Sequence, residues 1–393
     1  MKILQIHNHY QHRTGGEFVT AEMDKILLES NGHQVIRYIR NNDEIKTYTL
    51  INKIKLLFNS IWSQKAYNDI RKIIINEKPD ILHMHNYSPL ISPSAFYVAK
   101  KFNLGTVWTL NNYRLICVEG QFLRNNKVCE LCLHKSRIYS LIHGCYRKSR
   151  LASFIVFMVN FVHSIIGTWE KKVDIYLPLT EFGKKVFEKG GINKHKLVIK
   201  ANVIYPEPVP RDQNDVKDYV LFLGQLSSKK GIENLVELWG NIDFKLIVAG
   251  DGPLRSELEE KTKVNNSNIE FIGAIDHKNA LDYLRNAKFL VLPSLHNEGF
   301  PLVISEALAL GVPIITSNSG PLPELVIDHY NGLLVKPGNK DDLFEKICYA
   351  LNNNNLLLKM GQNSRKLYEQ SYSAKENYEI LMSAYKKALN HDN

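Results

Sequence analysis

The chain has 393 residues, 44% of them hydrophobic and 23% charged, with five cysteines. That length suggests two domains, and the composition excludes a disordered chain, a collagen-like fibre and a small disulfide scaffold. The net charge of +10 is uneven: residues 1–205 hold 30 Lys+Arg against 15 Asp+Glu, and the remainder holds 20 against 25. A polyanionic partner is therefore expected for the first half only, and nucleic acid, anionic lipid and a phosphorylated substrate all fit.

In chain order, Lys2 to His7 reads as a buried strand, followed by Gly15-Gly16 and a helix from about Glu17 to Ser30 that ends at Gly32-His33. Val35-Ile36 opens the next strand. Ile81-Leu82-His83, Thr106 to Leu110, Asp174 to Leu177 and Lys196 to Ile199 are further short apolar runs. Residues 114–170 break this rhythm and read as an insertion. Pro206, Pro208 and Pro210 mark a linker. The strand–helix rhythm then restarts with Tyr219 to Leu223, Phe244 to Ala249, Ile269 to Ile272, Phe289 to Leu292 and Val312 to Ile315.

Alternating strands and helices predict an α/β protein of two doubly wound, Rossmann-like domains facing a cleft, with ligands at the carboxyl ends of the strands. The expected boundaries are an N-terminal domain over 1–203, a C-terminal domain over 204–372, and a last helix over 373–393 packing back on the first domain. No stretch reaches about 18 apolar residues, so no spanning helix is expected. The N-terminus lacks a signal-peptide core, which predicts a cytoplasmic location.

The strongest chemical signal is Glu298-Gly299-Phe300-Pro301-Leu302-Val303-Ile304-Ser305-Glu306. The first glutamate sits in a loop after a strand and the second about two turns into the next helix. Both can then face one side, where carboxylates accept hydrogen bonds from hydroxyl pairs. Pro301 suits the first helical turn, and the helix N-terminus would face an anion. Two glutamates at this spacing also occur as an ordinary solvated pair, so their context decides.

That context resembles the donor domain of the GT-B-fold retaining glycosyltransferases of family 4, within the group 1 glycosyltransferases. The landmarks are Gly224-Gln225-Leu226 with Lys230-Gly231, Ala249-Gly250-Asp251-Gly252-Pro253, Phe271-Ile272-Gly273, the Glu298–Glu306 motif, Gly311-Val312-Pro313, Pro323-Glu324 and Asn331-Gly332. Gly15-Gly16, Gly32-His33, Pro79 to His83 and the segment ending near Asn202 fit in the first half.

The resemblance implies that Glu298 contacts the donor sugar at the reaction centre and that Glu306 holds the ribose hydroxyls. It implies that backbone amides from Gly299 through Phe300 and Pro301 to Leu302 approach sugar and diphosphate, except at proline, which has none. Lys230 would pair with the diphosphate, Gly15 and Gly16 would let the first helix approach it, and Gly250, Gly273 and Ile275 would line the nucleotide. Two positions depart from the family. Gln225 replaces an arginine in the donor site, and Asn111 replaces the catalytic histidine. Asn111 can hydrogen-bond a hydroxyl but cannot carry a proton at neutral pH. His83, His85 and Arg114 are the candidate acceptor contacts.

Breaking a bond to a nucleoside diphosphate places negative charge on the leaving phosphate. No Asp-x-Asp pair is present to hold a divalent ion there. Lys230, helix N-termini and glycine amides are expected to serve instead, without a catalytic metal. The expected reaction is retaining transfer of a hexosyl or N-acetylhexosaminyl group from a nucleotide sugar, UDP-linked by preference or GDP-mannose, to a lipid-linked saccharide in bacterial surface polysaccharide synthesis. A soluble acceptor and a catalytically weak sugar-nucleotide binder are the alternatives. Nucleic acid is not expected, because stacking platforms and recognition motifs are not evident.

Within the insertion, Cys117, Cys129, Cys132 and Cys145 include one Cys-x2-Cys pair, which suits either a structural zinc site or free buried thiols. Lys135, Arg137, Arg147, Lys148 and Arg150 precede an amphipathic apolar segment over 151–166. Such an element suits peripheral attachment to an anionic membrane on its cytoplasmic face, or packing on its own domain.

Overall fold

The computed structural model describes residues 1–9, 16–125, 127–265 and 267–390. It divides into two compact units: residues 1–122, 129–205 and the chain from Ala374 onward form one, and 123–128 with 206–373 form the other.

The first unit is built on five parallel strands, β1 (Lys2–His9), β2 (Gln34–Asn41), β3 (Ile81–Asn86), β4 (Gly105–Leu110) and β7 (Ile175–Pro178), in the order β2-β1-β3-β4-β7. A short hairpin, β5 (Leu123–Arg124) and β6 (Lys127–Val128), lies between β4 and β7 in the chain. In-register pairs such as Ile3↔Ile81 and Leu82↔Thr106 bury both faces, which is why these strands read as continuous apolar runs. Strand order reverses between β1 and β3. Helix α1 (Gly16–Ser30) follows β1, and α2 (Leu50–Ile61) follows β2.

The C-terminal helix α6 (Ala374–Leu389) belongs to this first unit. Its Leu381, Ala384, Tyr385 and Ala388 share a core with Ile3, Ile81, Val107 and Ile175. Gly105 permits this approach, since a Cβ there would stand 2.7 Å from Ile81 and 3.2 Å from the Ala388 methyl. The opposite face of the sheet holds a larger core around Phe96, Trp108, Trp169 and Tyr176.

The insertion forms short helical turns and one long helix, α3 (Arg150–Ile165), N-capped by Ser149. It buries polar residues beside Val159 of the core and leaves several apolar ones exposed. Ser153, Asn160 and His163 point inward, and Leu151, Phe154, Phe161 and Ile165 are 63%, 49%, 48% and 68% exposed. Hydrogen bonds account for the polar side: Asn160 Nδ2 donates to the Arg114 carbonyl at 2.7 Å, and the His163 nitrogens meet Thr168 Oγ1 and the Ile61 carbonyl. These bonds remove the cost of burying polar groups.

The second unit has six parallel strands: β8 (Val220–Leu223), β9 (Leu246–Ala249), β10 (Ile269–Gly273), β11 (Leu290–Leu292), β12 (Ile314–Ser317) and β13 (Gly332–Val335). Their order is β10-β9-β8-β11-β12-β13, the Rossmann arrangement, with its switch point between β8 and β11. Helix α4 (His277–Asn286) follows β10, and α5 (Leu302–Leu310) follows β11. No helix among the described residues is long and apolar enough to cross a membrane.

Candidate active site

In the second unit, the loops leaving β8 and β11 meet at the switch point, where strand order opens a crevice. The β8 loop carries Lys230 and the β11 loop carries Glu298. Gly231 allows their approach: it sits at φ +70°, and a Cβ would stand 2.0 Å from the Pro293 carbonyl oxygen. Gly250 plays the same part at the end of β9, at φ +138° against Gly224. Either position would be strained by any side chain.

Lys230 Nζ donates to Glu298 Oε1 at 2.5 Å, and Ser294 Oγ donates to the same oxygen at 2.6 Å. His296 Nε2 lies 3.4 Å from Glu298 Oε2, while its Nδ1 lies 3.0 Å from the Lys229 carbonyl oxygen. Glu298 is only 8% exposed. Burial alone would raise its pKa, but the charges of Lys230 and His296, with their hydrogen bonds, hold it well below the usual carboxylate range. The group is thus a fixed anion and acceptor. Helix α5 begins immediately afterwards without a side-chain cap, so its first-turn amides carry the positive end of the helix dipole. Pro301 is its extended N-cap residue, at ψ 117°, and the helix starts at Leu302 rather than including Pro301 in its first turn.

Glu306, on α5, is 5% exposed, and its Oε1 lies 2.8 Å from His277 Nε2 at the start of α4. That contact raises the His277 pKa. Gly273 ends β10 at φ +74° beside the Arg255 guanidinium. Ile275 lies two residues on, half-buried, and Gln225 is exposed in the β8 loop. Phe300 is buried and makes an edge contact with Tyr372. The sequence reading missed His296 and His277. A histidine two residues before Glu298 was a readable signal, whereas His277 is 29 residues from Glu306 and only the fold joins them.

The first unit gathers a second set of polar groups at the carboxyl ends of β3 and β4. Asn111 follows β4, and its amide nitrogen is buried with no hydrogen-bond partner among the described residues. Glu17, in the first turn of α1, accepts hydrogen bonds from Asn112 Nδ2 at 2.8 Å and Asn86 Nδ2 at 3.5 Å. Burial raises its pKa, opposed by Arg114 and Asn112. The sequence reading placed Glu17 only at the start of a helix. Gly16 opens α1, and Gly15 lies outside the described residues.

The two acceptor histidines separate. His85 is 3% exposed and lines a cavity of this unit with Asn111 and Arg114. His83 is fully buried, with Nδ1 2.8 Å from the Tyr385 hydroxyl and Nε2 2.8 Å from Thr109 Oγ1. One nitrogen thus meets α6 and the other β4, and His83 is not among the residues lining that cavity.

The four cysteines of the insertion are not disulfide-bonded. Cys117 and Cys132 hydrogen-bond each other, and Cys129 and Cys145 lie near enough to act electrostatically on Cys132. The thiols are gathered, yet among the described residues no three His, Cys, Asp or Glu groups form a set that could hold a metal ion.

The two-domain α/β fold with parallel sheets matches GT-B glycosyltransferase structures. Anabaena Alr3699/HepE, solved in complex with UDP and glucose, superposes with a TM-score of 0.68 at 14% identity, covering 98% of this chain and 100% of that one. Residues 207–367 match the family model described as Glycosyl transferases group 1.

An uncharacterized glycosyltransferase of Methanocaldococcus jannaschii is 38% identical over 149 residues, 38% of this chain and 42% of that protein. The capsular polysaccharide biosynthesis glycosyltransferase CapM of Staphylococcus aureus is 29% identical over 211 residues, 52% of each chain. A Campylobacter jejuni N-acetyl-D-galactosaminyltransferase named for a saccharide-PP-undecaprenol is 29% identical over 214 residues, 52% of this chain and 58% of that one. The matched part thus spans about two fifths to three fifths of these relatives.

The depressed pKa of Glu298 has a stated sign. The stability its ionised form contributes is present above the unfolded value near 4.5 and is lost as pH falls through the lower folded value. Glu298→Gln should therefore be less stable than wild type by about 1–3 kcal/mol at pH 7. That gap should close below pH 4.5 in denaturant titrations. A gap unchanged down to pH 3 would contradict the assignment.

Proposed function

We propose that the protein is a metal-independent, retaining glycosyltransferase. It moves a hexosyl or N-acetylhexosaminyl group from a nucleoside diphosphate sugar, UDP-linked by preference, onto a lipid-linked saccharide in surface polysaccharide synthesis. The observation carrying this reading is the Lys230–Glu298 pair at the switch point of a Rossmann-ordered sheet, beside the uncapped N-terminus of α5. UDP in the neighbouring structure and the undecaprenol-linked substrate in one relative's name support donor and acceptor class.

In the proposed reaction, Glu298 accepts hydrogen bonds from donor-sugar hydroxyls, and Glu306 accepts them from the ribose. The bond between the anomeric carbon and the diphosphate oxygen breaks as the acceptor hydroxyl attacks the same face. Its proton passes to the leaving phosphate oxygen. Lys230 and the α5 amides stabilise the charge that develops there. This route requires no protein base, which accommodates Asn111 in place of histidine. Asn111 then orients a hydroxyl rather than moving a proton.

Transfer assays test the assignment directly. Lys230→Ala and Glu298→Gln should each lower turnover about a hundredfold or more. Wild-type turnover in both would remove it.

We place the working location at the cytoplasmic face of an anionic membrane. The support is the outward apolar face of α3 together with Ile51 and Phe58 of α2, 65% and 71% exposed, next to exposed Lys148 and Arg150. Buried polar residues opposite exposed aromatic ones are the pattern of a helix that meets lipid. The protein should sediment with anionic vesicles, not neutral ones, and be released by high salt. Replacing Lys148 and Arg150 with Glu should abolish sedimentation. Equal binding to neutral vesicles would contradict the electrostatic part.

A structural zinc at Cys117, Cys129, Cys132 and Cys145 is a separate proposal, supported only by the gathering of the thiols around Cys132. Elemental analysis should find close to one zinc per chain, and a value under about 0.2 removes the site.

A further inference from the structure

Helix α4 opens on a residue that its own position disfavours. His277 is the first residue of the helix, where the positive end of the helix dipole opposes an imidazolium. Asp276 is the N-cap, and its carboxylate accepts from the Asn279 backbone amide at 2.9 Å and from Asn279 Nδ2 at 2.8 Å. The helix is therefore capped without His277. A half-exposed ring at this point is expected to turn to water. Instead its Nε2 lies 2.8 Å from Oε1 of Glu306, 29 residues on and in another helix.

Glu306 is held from one side. Among the described residues its Oε1 has this partner and its Oε2 has none. The carboxylate is 5% exposed, so a single fixed donor governs its orientation. Few other charges act on the ring. Helix α4 packs chiefly on α5, where Glu306 is the only charged residue, and on β8, which has none. On its own segment the ring feels the charge of Asp276. The hydrogen bond to Glu306 raises the His277 pKa, against the cost of burial and with the charges of Glu306 and Asp276.

We propose that His277 is a positioning residue of the donor site. Its ring fixes Glu306 Oε1, leaves Oε2 to accept from a nucleotide hydroxyl, and makes the affinity for a nucleoside diphosphate sugar depend on pH. The inference rests on the nucleotide-sugar reading above.

The reason is charge. A nucleoside diphosphate sugar brings negative charge on both phosphates to a site where Glu306 already holds a buried one. A protonated His277 offsets that charge and holds the carboxylate by a charge-assisted bond, whereas a neutral ring keeps only a hydrogen bond. Affinity should therefore be full below the ring's ordinary value of 6.5 and fall as pH rises through its higher value. A residue that only packed the start of α4 would give no such dependence.

The probe is UDP-glucose, whose phosphates carry no proton to lose near neutrality, measured by calorimetry on the whole chain at about pH 6 and about pH 8.5. Wild type should bind about two- to fivefold more tightly at the lower pH. His277→Lys, which keeps a cation, should lose the dependence and keep the tighter binding. His277→Gln, which keeps a donor without charge, should lose the dependence and keep the weaker binding. His277→Ala should bind more weakly than His277→Gln at both pH values. His296, beside Glu298, is common to all four proteins, so any contribution from it cancels in the comparison.

A wild-type pH ratio that persists in both His277→Lys and His277→Gln, or wild-type affinity in His277→Ala at both pH values, would overturn the proposal. Should a variant fail to fold, the His277 ring of the wild type is titrated by NMR with and without UDP-glucose. Linkage is reciprocal, so saturation should raise its pKa, and an unmoved or lowered value overturns the proposal. No binding of UDP-glucose by wild type at either pH would overturn the nucleotide-sugar reading, and the inference with it.

Discussion

A carboxylate that is 8% exposed stays ionised only where opposite charge and hydrogen-bond donors are fixed beside it. Glu298 meets that condition through Lys230, Ser294 and His296. These residues come from two loops that approach only because strand order reverses between β8 and β11. The requirement also explains the glycines. Gly231 lets the β8 loop run against the Pro293 carbonyl, and a side chain there would push Lys230 away from its partner. The buried charge therefore fixes local backbone, loop spacing and sheet order together.

Much of this was readable from the chain. Apolar runs of four to eight residues separated by helical patterns imply parallel strands covered on both faces, and the two sheets have that form. Glu298 stood out through its motif, and Lys230 and the strand-end glycines through the family resemblance that the motif's context carries. His277 and Glu17 did not. Their roles depend on contacts with Glu306, and with Asn86 and Asn112, at sequence separations of 29, 69 and 95 that periodicity does not encode. His83 shows the opposite case. Its position at a strand end is shared with His85, but Tyr385, 302 residues away, occupies one of its ring nitrogens.

Helix α3 shows where pattern reading stops short. Its sequence is amphipathic, and amphipathicity alone fits packing on the domain as well as it fits a membrane. Which stripe is buried is set by the hydrogen bonds of Asn160 and His163 to Arg114, Ile61 and Thr168. Those partners sit in other segments and are invisible along the helix itself. With its polar stripe held inward, the helix leaves Phe154, Phe161 and Ile165 in water. That arrangement is unfavourable for a helix that stays in water throughout its working cycle.

The same inward hydrogen bonds bear on the cavity. Asn160 holds the backbone carbonyl of Arg114, so the residue that turns α3 apolar-side out also fixes the segment that carries a guanidinium into the cavity. Surface and pocket are therefore one construction rather than two. A change at Asn160 would disturb both the exposed apolar side of the helix and the placement of Arg114. One buried amide thus sets both the exposure of the helix's apolar side chains and the position of Arg114.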